Sequence, residues 1–362
     1  MRGGRIVVPL LAGLAIVWAL SGASADVEIR RRIPSAARIA GVWGAQILDD
    51  NGGLLFSHDT GIWTSSDGGS TWSHMPSPKY EGALAGRQGV GNAHFFDRSL
   101  GWVNADGTLF LTSDGGKTWR HMRIGPSDTL IHDLFFLPGG TVGWAAGGVY
   151  RKTNPGEEGP NYVVTRDERT GILMILEPAI FLTEDGGQSW SRASVPRSGD
   201  WEIRSVTFVT PQAGFAVGDR VLYRSSDGGK TWTPATIPRG CVLPGSRLAH
   251  RQSTASSFLD EKLGWVSFQD GSVFETTDGG RTLCQQGRYQ DDALLYLHVM
   301  SPKEGWGVKG YASLYKTSDG GRSWEWIDLP SPVASLSILK NRHAWILSPD
   351  ALYDVTLNPP RR

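Results

Sequence analysis

The chain has little cysteine, no net charge and no helical periodicity, and each of these lacks narrows what it can be. Cys241 and Cys284 are the only cysteines, and the eight histidines are scattered without an HxH or HExxH spacing. Neither pattern offers a recognisable metal site, and no cofactor is expected. Basic and acidic residues number 36 each. That balance gives no reason to expect nucleic acid or a membrane surface as a general partner. No GxSxG element and no phosphate-binding loop occurs, and no segment sustains a 3.6-residue apolar period. What is present instead is glycine, 47 residues, and tryptophan, 15 residues, among short β-branched and aromatic runs. Such runs, separated by glycine-rich turns, point to an all-β chain.

The first residues read as an address. Met1 to Arg5 is basic, Ile6 to Leu20 is apolar apart from Pro9 and Gly13, and Ala23-Ser24-Ala25 supplies small residues. This order predicts a signal peptide, residues 1–25, cleaved before Asp26. The apolar run is short for a span of ~20 residues, and no cysteine follows it to carry a lipid. The expectation is an exported chain, periplasmic or secreted, with no integral membrane span after cleavage.

One octapeptide recurs six times. It appears as SSDGGSTW at 65–72, TSDGGKTW at 112–119, TEDGGQSW at 183–190, SSDGGKTW at 225–232, TTDGGRTL at 276–283 and TSDGGRSW at 317–324. Its aspartates, Asp67, Asp114, Asp185, Asp227, Asp278 and Asp319, are spaced 47, 71, 42, 51 and 41 residues apart. A glycine–aromatic pair runs in phase with it at Gly101-Trp102, Gly143-Trp144, Gly214-Phe215, Gly264-Trp265 and Gly305-Trp306, with Ala344-Trp345 at the matching place after the sixth. A period of 40 to 50 residues of strand and turn fits one four-stranded propeller blade. Blade four then reads as strands at 202–209, 215–218, 221–225 and 232–237. The octapeptide is an Asp-box, a structural turn in which Asp and Ser/Thr side chains bind the backbone and paired glycines permit φ > 0. Its closing tryptophan should pack between sheets and staple the hairpin to its blade.

Six boxes leave a remainder. Strands at 333–339, 344–347 and 352–355 follow Trp324 with no box, and residues 27–34 stand where other blades have their outer strand. The fold expected is a single seven-bladed β-propeller over 26–362, closed by N- and C-terminal strands so that two sheet edges disappear. The interval of 71 residues carries an excess, Arg151 to Ala179, read as a hairpin inserted between the second and third strands of blade three. Propeller topology puts it on the rim of the blade-to-blade loops, either as an edge decoration or as an arm that touches a partner.

The same rim is rich in arginine: Arg87, Arg204, Arg220, Arg239, Arg247, Arg251 and Arg288. Guanidinium forks suit carboxylate or phosphate groups, although a solvated surface is an equal reading and Asp128, Asp200, Asp291 and Asp292 could neutralise much of it. Cys241 follows outer strand four while Cys284 begins outer strand five from the opposite rim. That placement favours two free thiols, although export permits a disulfide.

With its glycine–aromatic marker and SxDGGxTW boxes, the chain resembles the photosystem II assembly and stability factor family, seven-bladed propellers of the thylakoid lumen with bacterial relatives. The resemblance implies a non-enzymatic, monomeric assembly factor that binds a protein client through an arginine patch, for which Arg87, Arg204, Arg247 and Arg251 are the positions here. It implies a thylakoid-lumen location only if the source is photosynthetic. The alternative is a glycoside hydrolase, because sialidases also combine propellers with Asp-boxes and Arg32-Ile33-Pro34 spells the triplet of their first substrate arginine. No Tyr and Glu pair falls beside Arg32 in the repeat register, and a closure strand would turn Arg32 away from the centre.

Overall fold

The computed structural model describes residues 26–76, 78, 92–105, 108–152, 164–166, 173–196, 202–244, 252–288, 293–310, 313–339 and 342–357. The expected leader, 1–25, lies outside the described residues. Among those residues no helix is long and apolar enough to cross a membrane. The strands form seven antiparallel sheets, six of four strands and one of five. The chain is a seven-bladed β-propeller. Blade-to-blade crossings and second-to-third turns share one rim, here the crossing rim, and Asp-boxes occupy the opposite, box rim.

Ring closure follows the expected scheme. Val27–Ile33 pairs antiparallel with Leu352–Leu357 and becomes the outer strand of blade seven. In blade four the strands are Ile203–Phe208, Gly214–Gly218, Leu222–Ser225 and a short Thr233–Pro234. Past that short strand the chain bends alongside blade five, where Thr236 bridges Thr282 in parallel. This bend brings Cys241 to Cys284, and the two form a disulfide with Cα atoms 4.4 Å apart. The sequence favoured free thiols because it carried outer strand four straight to the far rim.

Among the described residues the apolar core is divided between the blades. Seven apolar clusters each fill one interface between neighbouring blades. The marker aromatics Trp102, Trp144, Phe215, Trp265, Trp306 and Trp345 are all buried. The box aromatic meets the marker of the preceding blade: Trp72 lies edge-on to Trp345 and Trp324 edge-on to Trp265. The box residue therefore staples two blades together rather than its own hairpin alone. The marker glycine is required by its inner strand. A Cβ on Gly214 would enter the ring of Phe208, and one on Gly264 the ring of Phe258.

The box works through one oxygen-rich side chain. Asp114 Oδ1 accepts from Thr112 Oγ1 and the Thr118 backbone N–H, and Oδ2 accepts from Thr118 Oγ1 at 2.6 Å. Gly115 and Gly116 take φ of 74° and 80°, which a side chain would resist. The Thr118 and Thr112 bonds hold the Asp114 carboxyl down at about 2, and the Thr71 bonds do the same for Asp67.

Side chains also tie inner strand to inner strand. Ser337 Oγ accepts from Ile47 N–H, Gln46 Oε1 from Phe95 N–H, Asp133 Oδ2 from Val206 N–H and Ser257 Oγ from Val299 N–H. Edge donors at the centre of the ring are thereby satisfied.

Blade three departs from the repeat as one continuous ladder. Its second strand, Gly143–Lys152, pairs throughout with its third, Leu173–Thr183. A short strand, Val164–Arg166, adds to the far end of Leu173–Thr183. The excess residues thus lengthen the two blade strands past the crossing rim, and Val164–Arg166 pairs antiparallel with Leu173 to Ile175 in the inserted stretch.

Candidate functional site

The inner strands are irregular where they enter at the crossing rim. Register shifts fall between Val42 and Gly44, Ile131 and Asp133, Ile203 and Ser205, Ser253 and Ala255, and Leu294 and Tyr296. A bulge at the same point of five strands re-aims one side chain in each. Those residues are Trp43, His132, Arg204, Thr254 and Leu295.

Two of them belong to an ion-pair chain across blades three and four. His132 Nε2 lies 2.7 Å from Glu202 Oε2, Arg204 Nη2 donates to Glu202 Oε1 at 2.9 Å, and Arg204 Nε donates to Asp219 Oδ1 at 2.5 Å. Asp219 is buried at 1% exposure. The hydrogen bond with His132 holds the Glu202 carboxyl below its ordinary value. Arg204 is therefore already committed to two carboxylates of its own blade. Beside this chain, burial pushes the Asp133 carboxyl up to about 6 despite N–H donors from Val206 and Leu134.

The remaining arginines are dispersed. Arg220 follows Asp219 and is half-buried. Arg239 opens the 3-10 turn Arg239–Cys241, which the disulfide holds against the first residue of blade five's outer strand. Its place is the outer flank, away from Arg204. Arg288 ends that outer strand, opposite Ser272. Arg87, Arg247 and Arg251 lie outside the described residues, as do Asp200, Asp291 and Asp292; Asp128 is exposed on the crossing rim. Arg32 sits in the closure strand with Nη2 donating to Asp350 Oδ2 at 2.8 Å, and Tyr353 donates to the same oxygen. It is held in the outer strand of blade seven, away from the inner strands.

Sequence reasoning passed over a groove of about 500 Å³ on the crossing rim between blades two and three. Leu109, Met122 and Ile124 are buried in its floor, Leu130 stands 41% exposed at its lip, and His121 and Arg123 flank it. No motif marks Arg123. It differs from Arg204 in having no carboxylate beside it among the described residues, a property of packing rather than of sequence. A second hollow, about 550 Å³, lies on the box rim around Asp49, Arg98, Asp114 and Lys117, where Arg98 forks onto both oxygens of Asp49.

The description BNR/Asp-box repeat matches residues 223–234, from the third to the outer strand of blade four. The chain carries a BNR/Asp-box repeat. No curated protein matches it. Among solved structures, YCF48 from Cyanidioschyzon merolae is 17% identical over 93% of this chain and 100% of its own, with a TM-score of 0.56. A structure of YCF48 bound to D1 peptide is 16% identical over 92% of this chain and 97% of its own, with a TM-score of 0.56. An ancestral GH74 enzyme is 15% identical with a TM-score of 0.58, but this chain spans only 46% of it while 88% of this chain is covered. At these identities the likeness is one of fold. A similar fold occurs in a peptide-bound protein and in an enzyme, so function has to be argued from the site.

Proposed function

We propose that this chain is an exported, monomeric, non-enzymatic propeller that binds a segment of a client protein on its crossing rim. The observation that carries the reading is where the repeat is broken. All six boxes keep the same glycine pair and aspartate, whereas the long ladder of blade three and the ion-pair chain of blades three and four lie on the crossing rim. A rim freed from the repeat is where a rigid scaffold carries recognition. The D1 peptide on YCF48 supports a polypeptide client for a propeller of this fold.

The test is affinity capture by the intact chain against a variant with Arg87, Arg204, Arg247 and Arg251 all changed to alanine, with captured proteins identified. We expect capture to be lost in the folded variant and to weaken as salt rises, because exposed charges are screened beyond ~8 Å at physiological ionic strength. Undiminished capture by the variant would contradict the reading.

A second reading, glycoside hydrolysis, is kept by the likeness to the GH74 enzyme. We expect no product from sialoside, xyloside or glucoside reporters. Turnover above a buffer blank would establish the hydrolase, and its loss in Arg32→Ala would make it sialidase-like.

A further inference from the structure

We infer that the groove between blades two and three seats a short stretch of client polypeptide in which a carboxylate side chain is flanked by apolar ones, with Arg123 holding the carboxylate. The inference rests on the binding reading above and names the chemistry of the segment bound.

Size comes first. A hollow of about 500 Å³ takes two or three side chains and falls within the range of specific ligand sites. Leu109, Met122 and Ile124 lie beneath it, and the exposed Leu130 carries apolar surface at the lip. Water gains little there, and apolar side chains of a partner would be drawn in. Among the described residues that line it, only His121 and Arg123 can carry charge, and both can only be positive. Asp128, the nearest acid along the chain, is not among the lining residues.

The contrast with Arg204 is decisive. Arg204 spends Nε on Asp219 and Nη2 on Glu202. Arg123 makes no hydrogen bond or ion pair among the described residues, so its fork is available at no cost to the fold. A third group points the same way. The Thr129 hydroxyl, on the wall of the groove, is shielded from solvent and has no hydrogen-bond partner among the described residues. It leaves one unspent donor in the wall of the groove, and a carboxylate taken from water needs such donors. The groove lies along the inner-strand entrance of blade three, whose Thr129 to Ile131 pair with Gly147 to Val149 of the long ladder. A segment seated there would run on toward that ladder, which suits a peptide better than an isolated small molecule.

The test uses the full chain as target for a random heptapeptide display library, followed by anisotropy titration of the winning peptide. We expect selected peptides to carry Asp or Glu between apolar residues. Arg123→Ala should weaken the winner about tenfold, the value of one charge-assisted fork. Arg123→Lys should restore part of that loss, and Leu130→Ser should weaken binding with the carboxylate preference intact. A winner without an acid, or one whose affinity Arg123→Ala leaves unchanged, overturns the inference while the binding reading survives. If no peptide is enriched over an empty support, the inference fails, and failure of client capture in the same preparation would then remove the binding reading as well.

Discussion

Two regions of this propeller, the Asp-box rim and the blade-two to blade-three sector of the crossing rim, are built from similar residues and treat them in opposite ways. On the box rim an aspartate is surrounded by hydroxyl and N–H donors: Asp114 accepts from Thr112 and twice from Thr118. On the crossing side Asp133 is enclosed by burial, and its carboxyl lies at about 6 where that of Asp114 lies at about 2. Arginines differ likewise. Arg98 on the box rim forks onto Asp49, while Arg123 on the crossing rim has no carboxylate beside it among the described residues. Satisfied groups hold a shape; groups left incompletely satisfied are available to something else.

The comparison is broken most sharply where closure meets the box rim. Asp354, 3% exposed, takes Arg31 on Oδ2 and His343 on Oδ1, and His343 reaches on to Asp50 of blade one. Asp354→Ala should cost about 3 kcal/mol by stranding a buried imidazole, read by chemical denaturation. A loss below about 1 kcal/mol would mean that the network adds specificity but little stability.

A smaller effect separates the rims by pH. The Asp133 carboxyl is raised above its ordinary value, so its contribution is fully present below about pH 4 and is lost as pH rises through about 6. That decline should amount to at most about 3 kcal/mol, and Asp133→Asn should flatten it in melting curves taken from pH 4 to 7. Box carboxyls have the opposite sign. Asp67 and Asp114 contribute above pH 4, and that contribution is lost as pH falls toward 2.

Smaller again is Asp227→Ala in a single box, expected at about 1 kcal/mol because most of its bonds are exposed. Binding of any client by the folded variant should be unchanged. Smallest is Arg123→Ala, whose effect on stability should stay within about 0.5 kcal/mol. A melting temperature that falls with Arg123→Ala would show that the crossing rim is also structural.

How far the sequence revealed all this follows the same division. Boxes, marker aromatics and the closing strand were legible because each recurs in phase, and the contacts they make lie within one repeat or between consecutive repeats. Cys241 and Cys284 were misplaced because the outer strand of blade four stops after Pro234 and the chain bends beside Thr282. Arg204 was read as a free fork because nothing in the sequence says that Asp219, fifteen residues on, folds back against it. Arg123 was overlooked for the converse reason, since an unoccupied guanidinium has no signature until its neighbours are in place.

The closing strand has a consequence for how stability is shared. Seven blades in an open row would have six contacts between neighbours, whereas joining Val27–Ile33 to Leu352–Leu357 makes a seventh. Blade seven then packs on blade one, where Ile33, Ala45, Leu55 and Trp345 share a cluster. The extra contact requires no extra blade, and it removes the frayed ends from which a linear array would unzip. Its loop-closure entropy grows only with the logarithm of the intervening length, so a ring of this size loses little by waiting for its last strand. Any one interface can loosen while the other six still hold the blades in order, and a client could pull on one sector of the rim without unravelling the circle.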